Sequence, residues 1–201
     1  MASLEELKSK IESFRKRYHS RQLVIGVLAF LILNSLIFLV TVSLEYQLWF
    51  GESIRTVLFF LILLSVLASA YVLIVRPLLI LLNMRKGISD EEAANEISKH
   101  FPEIEDKLLN TLQLSHLSNN NLLIAAIEKK SAEFNGLSFI KAVNLKPVKK
   151  YALITLGIIV MFGLVSFISP SMLRDGPKRI VNFSQAYEKE APFQFVIHNE
   201  E

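Results

Sequence analysis

Apolar positions along this chain fall into two arrangements, unbroken runs and helical stripes. The runs cover residues 23–44, residues 56–75 with an extension toward Leu82, and residues 151–168. At about 1.5 Å of rise per residue, a helix of roughly twenty residues covers the ~30 Å hydrocarbon core of a bilayer and satisfies its own backbone hydrogen bonds. The runs therefore predict three transmembrane helices. As core helices of a soluble protein they would be cylinders apolar all round, with only roughly 120 residues left to cover them.

The stripes lie outside the runs. Leu4, Leu7, Ile11, Phe14 and Tyr18 recur at alternating spacings of three and four, which predicts a cytoplasmic amphipathic helix over residues 1–22. Its charged faces and apolar stripe suit docking on the membrane surface or on the middle segment, in preference to a dimer seam, for which two and a half heptads are few. Residues 83–149 are polar and helix-patterned. Ser89 and Glu92 stand at capping-box spacing before a segment with Ile97 and Phe101 on one face. Pro102 opens the next, with Glu103 and Glu105 where the helix dipole favours anions and Ile104, Leu108 and Leu112 as its apolar positions. A third helix is expected over residues 122–135, with Leu123, Ile127 and Phe134 apolar and Gly136 at its end. Three short amphipathic helices make a bundle with a marginal core, which must lean on the N-terminal helix or the membrane.

The first two runs are joined by a short segment around residues 45–55, so they form a transmembrane hairpin over residues 23–82. Tyr46, Trp49 and Phe50 suit an interfacial aromatic belt. Ser65 and Ser69 form a small-xxx-small pair, and Asn34 with Ser35 lies mid-run; hydrogen bonds there are worth about 0.6 kcal/mol each in a bilayer. Helix packing explains them better than a transport path. Arg76 belongs at the cytoplasmic boundary, where it snorkels cheaply, and Pro77 predicts a kink near Arg76–Pro77. The segment beyond it either lies in the interface or enters the cytoplasmic core.

After the third span, taken as residues 150–168, residues 169–201 read as an exported tail of loop and short helix. Phe193, Phe195 and Ile197 alternate with a strand period. One strand cannot form a sheet, so the tail is expected to begin a β-rich domain of a longer protein, in preference to donating a strand to a partner.

Charge fixes the orientation. Of 22 Lys and Arg, six precede the first run, eleven lie between Arg76 and Lys150, and only Arg55 lies in the connection between the first two runs. By the positive-inside rule the N-terminus and the middle segment are cytoplasmic and the C-terminus is periplasmic. Arg174, Lys178, Arg179 and Lys189 mildly oppose this, but Lys146, Lys149 and Lys150 flank the third run more closely. A cleaved signal peptide fits poorly, because the first run is too long and no A-x-A site follows it. The chain has no cysteine, which excludes disulfides and thiolate chemistry. A net charge of +3 without a basic, aromatic-interleaved stripe gives no case for nucleic acid.

Catalytic templates are missing. There is no phosphate-binding glycine loop, no H-E-x-x-H and no G-x-S-x-G. His19, His100, His116 and His198 are scattered without ligand spacing, so neither a metal nor a cofactor is expected. The carboxylates fall in helix first turns, where they stabilise helices. The run interiors hold no Asp, Glu, Lys or His, which disfavours an autonomous transporter or channel.

The order of elements, and above all the phrase "FPEIEDKLLNTLQL", with a tail entering "APFQFVIHN", resembles the N-terminal membrane region of a bacterial family called domain of unknown function 4175. The resemblance implies an inner-membrane protein continuing into a long envelope-facing region, with no catalytic residues to carry over. The expectation is thus an all-α membrane protein with three transmembrane helices, a small cytoplasmic helical bundle and a short exported tail ending in a β-strand. Its expected role is non-enzymatic: a multi-pass scaffold anchoring an envelope-facing domain, in contact with the lipid bilayer and with either a second copy or a membrane-complex partner. The alternative is an accessory subunit of a transport or signalling complex. The residues expected to matter are Leu4, Leu7, Ile11 and Phe14 for docking, Arg76 at the boundary, Ile104, Leu108 and Leu112 in the bundle, and Ser65 and Ser69 for helix packing.

Because the chain is cysteine-free, single cysteines at Ser53, Ser118 and Ser184 report topology directly. A membrane-impermeant maleimide should label the first and third from the periplasmic side and the second only after lysis; periplasmic labelling at residue 118 would overturn the orientation.

Overall fold

The computed structural model describes residues 2–117, 129–134 and 136–187; these are mostly helical, with no strand among them. In chain order they form α1 (Ala2–Leu48), α2 (Glu52–Ala70), a π-helical turn (Tyr71–Val75), α3 (Arg76–Leu81), α4 (Asp90–Ser98), a 3-10 turn (Pro102–Ile104) leading into α5 (Glu105–Leu117), a second 3-10 turn (Phe139–Ala142), α6 (Lys146–Ile168) and α7 (Pro170–Val181). The strand expected at Phe193, Phe195 and Ile197, and most of the helix expected over residues 122–135, lie outside the described residues. Of that helix, residues 129–132 are helical.

Three helices are long and apolar enough to cross a membrane: α1, the stretch Glu52–Leu81, and α6. Only 11%, 6% and 6% of their apolar windows is buried within the protein. Val57, Leu61, Leu64 and Leu67 of α2 and Leu153, Leu156 and Ile159 of α6 are each more than half exposed. Each such side chain forgoes about 1.5–3 kcal/mol if left in water, so this surface belongs against lipid or other apolar helices.

Contacts group the chain into two compact units, one from Met1–Phe30 and Ser69–Ile154, the other from Leu31–Ala68 and the segment from Thr155 onward. In the first unit, the N-terminal stripe and the first apolar run, expected as separate elements, form one helix. No glycine or proline occurs before Gly26, so nothing interrupts the hydrogen-bond ladder of α1. Leu7, Ile11 and Phe14 are buried in a core with Ala93, Ala94 and Ile97 of α4, Leu108 and Leu112 of α5, and Phe134, Phe139 and Val143. The stripe therefore packs on the middle segment and is not available to headgroups.

Polar contacts fix this packing. Ser89 caps α4: its hydroxyl accepts from the Glu92 N–H at 3.1 Å while its own N–H donates to the Glu92 carboxylate at 2.9 Å. Arg15 pairs with Asp90 in the first turn of α4, and Lys10 Nζ donates to the Phe134 carbonyl at 3.1 Å. His19, 5% exposed, accepts from the Ile88 N–H at its Nε2 (3.4 Å), which puts the ring proton on Nδ1, facing Gln22 Oε1 at 3.1 Å. It is a structural histidine holding α1 to the segment after α3.

At Arg76–Pro77 the chain accommodates the proline by changing its hydrogen-bond register upstream. Pro77 has no N–H for the Leu73 carbonyl four residues back, and the Arg76 N–H reaches five residues back, to Tyr71. The Leu73 carbonyl points at α1, where a Cβ added to Gly26 would lie 1.9 Å from its oxygen. Only glycine permits that approach, in which the Cα–H groups of α1 face the carbonyl. The helix then runs on to Leu81. It ends where Asn83 takes a φ of 58° and the N–H groups of Asn83 and Met84 return to Ile80 and Leu79, a Schellman motif with asparagine in the left-handed position.

Gly26→Ala should separate α1 from the Leu73 carbonyl and lower the melting temperature of the detergent-purified chain by several degrees, an overpacking cost of about 1–3 kcal/mol. Gly163→Ala, whose added carbon meets nothing within 4 Å, should leave melting unchanged. Equal melting of the two variants would remove the contact from the account.

Candidate functional site

The connection between α1 and α2 is shorter than the loop expected over residues 45–55: only Trp49, Phe50 and Gly51 lie between the helices. Trp49 closes α1 in the left-handed region, with a φ of 51° and its N–H donating to the Glu45 carbonyl at 3.0 Å. That conformation costs a non-glycine residue roughly 1–2 kcal/mol. The indole is held in place by Arg179 of α7, whose guanidinium lies over the ring at 3.6 Å from its centroid.

So tight a connection brings the last turns of α1 beside the first turn of α2. There Arg55 Nε donates to Glu45 Oε1 at 2.9 Å, with the two side chains 2% and 0% exposed. The same guanidinium donates through Nη1 to the Gln185 carbonyl at 3.1 Å and stacks on the Tyr187 ring, 4.9 Å from its centroid. One cation thus ties three pieces of the second unit: the end of α1, the start of α2 and the segment following α7. Tyr46 and Ser171 share a hydroxyl hydrogen bond of 2.9 Å. Phe183 packs on Phe59 at 4.9 Å between centroids. Gly176 brings α7 against α1, since a Cβ there would lie 2.7 Å from Val42 Cγ1.

Electrostatically the junction is a buried ion pair closed by a second, aromatic-stacked cation. Among the described residues, Glu45 Oε2 accepts no hydrogen bond and Arg179 Nη1 donates none, although both atoms are buried. The neighbouring cavity, about 200 Å³, is walled by apolar side chains including Phe38, Phe59, Ile62, Val66, Pro177 and Ile180. The arrangement is that of a lock between the end of α1, the start of α2 and the segment after α7. No group of three or more His, Cys, Asp or Glu able to hold a metal occurs among the described residues.

Of the residues singled out from the sequence, Leu7, Ile11, Phe14, Leu108 and Leu112 meet in the single core of the first unit, with Ile104 partly buried against it and Leu4 half-buried. Arg76 is exposed. Ser69 is buried and Ser65 half-buried on the second long helix. Trp49 was expected only in an interfacial aromatic belt and Arg55 and Arg179 only as charges bearing on orientation, while Glu45 was given no role; their meeting was not expected. Their signal in the sequence is faint: Glu45 and Arg55 each abut an apolar run, and Gly176, Arg179 and Ile180 share one face of an otherwise polar helix. No protein-family model matches the chain, and neither curated proteins nor solved structures give a match.

Removing one partner of a buried pair strands the other charge and costs about 3–5 kcal/mol. Arg55→Met should therefore speed tryptic cleavage at Arg174 and Lys178 in the detergent-purified chain several-fold, and Glu45→Gln combined with Arg55→Met should recover part of the loss. Cleavage at the wild-type rate in Arg55→Met would show that the pair does not hold α7.

Proposed function

We propose that this chain is a three-span protein of the bacterial inner membrane that anchors an envelope-facing region and couples it to a cytoplasmic helical bundle, without catalysing a reaction. The observation that carries this is the contrast within α1: its first turns are buried in a polar-surfaced bundle, while its later apolar turns are left almost uncovered. The bundle side is cytoplasmic by the charge distribution, and the residues after α6 face the envelope. What supports the coupling is that Leu7, Ile11 and Phe14 of the bundle core and Glu45 of the buried pair stand on one helix. The resemblance to the domain of unknown function 4175 family is in keeping with this role.

An accessory subunit of a transport or signalling complex is the second reading. What favours it is the same uncovered surface, including Phe167 at 89% and Ile168 at 78% exposure, which accepts partner helices as readily as lipid. Purification in mild detergent separates the two. An anchor should elute alone or as a homo-oligomer, and the double variant Leu108→Asp, Leu112→Asp should lose the protease-resistant bundle yet remain in the membrane fraction. Stoichiometric co-elution of an unrelated membrane subunit, abolished by the same variant, would replace the anchor with the accessory role.

A further inference from the structure

A cleft of about 680 Å³ in the first unit lies between Arg21 of α1, the end of α4, and residues 141–146 ahead of α6. Its volume is that of a small-molecule site. Its charge is one-sided. The one carboxylate in its wall, Glu96, pairs with Lys99 and raises that ammonium above its usual value by hydrogen bond and charge. Arg21, Lys141 and Lys146 have no carboxylate partner among the described residues. Arg21 is pre-positioned: Nη1 donates to the Asn144 carbonyl at 3.1 Å, the guanidinium lies 4.8 Å from the Tyr18 ring centroid, and Nε is buried with no hydrogen-bond partner among the described residues.

Position adds a second argument. Arg21 stands just before the first apolar run, and Lys146 opens α6 just before the third. Beyond the cleft the same helices expose Val24, Val27, Leu153 and Ile154. A ligand suited to both surfaces carries a compact anion at one end and hydrocarbon at the other.

We propose that this cleft binds the phosphodiester headgroup of an anionic phospholipid, with Arg21 and Lys146 on the phosphate, Lys141 beside it, and the acyl chains along Val24 and Leu153. Arg21 presents a planar donor fork suited to phosphate oxygens, and the lysines supply mobile charge. The inference rests on α1 and α6 crossing a membrane, which resistance of the wild-type chain to alkaline carbonate extraction reads independently.

The test is calorimetric titration of the full chain in neutral detergent with dihexanoylphosphatidylglycerol, dihexanoylphosphatidylcholine and inorganic phosphate. Two variants of equal charge loss are compared: Lys141→Gln with Lys146→Gln in the cleft, and Lys149→Gln with Lys150→Gln, exposed beside it. Phosphatidylglycerol should bind at least about tenfold more tightly than the other two probes. The cleft variant should lose about tenfold and the flanking variant less than about twofold, with helicity unchanged in both. Equal losses would reduce the effect to diffuse attraction by a basic surface and overturn the site. Phosphate binding as tightly as phosphatidylglycerol, or phosphatidylglycerol no more tightly than phosphatidylcholine, would overturn the lipid.

Discussion

Within an apolar run, a backbone carbonyl or N–H without a partner costs several kcal/mol, and the irregular features of the long helices answer to that constraint. Pro77 takes away the donor for Leu73, and the chain answers twice: by the wider π-type register of residues 71–75 and by the bare backbone of Gly26 set against the Leu73 oxygen. Helix ends are treated the same way. Trp49 and Asn83 both take the left-handed conformation that returns their N–H groups to the last turn. Thr41 turns its hydroxyl back to the Ile37 carbonyl at 2.8 Å, which keeps a polar side chain satisfied inside an apolar run.

The same constraint sorts the charges. None occupies the interior of a run, and those nearest are either exposed, as Arg76 is, or neutralised, as Arg55 is by Glu45. In the first unit the difficulty is a different one, a core too small to stand alone. Helices α4 and α5 bring only a few large apolar side chains between them, and α1 completes the core with Leu7, Ile11 and Phe14. Arg15 on Asp90 and Lys10 on the Phe134 carbonyl then set the register of that docking at the rim, where ion pairs add little energy but exclude alternatives.

How far the sequence spoke for itself follows from the range of each interaction. The runs, the stripe of α1 and the capping box at Ser89 are local patterns, and each is visible as a spacing. Asn83 as a helix end was hidden because asparagine competes weakly for a place that glycine usually marks. The continuity of α1 through residue 22 was read as a boundary, because polarity changes there even though no breaker is present. The buried junction was not legible. Glu45 and Arg55 look like ordinary boundary charges until the three-residue connection sets them side by side, and Gln185 reaches Arg55, as Arg179 reaches Trp49, from more than a hundred residues away. The uncovered apolar surface of the long helices, by contrast, was readable at once, because it needs no partner in the chain to define it.

That asymmetry explains why a buried ion pair stands where it does. Apolar helices in lipid gain little from one another beyond van der Waals contact, and similar surfaces can slide or rotate at small cost. A pair such as Glu45 with Arg55 adds little net stability compared with apolar residues of the same size, but it admits only one arrangement, since any slip strands a charge. Gly176 against Val42 and Arg179 over Trp49 impose the same selectivity by shape and by stacking geometry. The polar residues of the second unit thus act as its register, and the apolar ones as its adhesive.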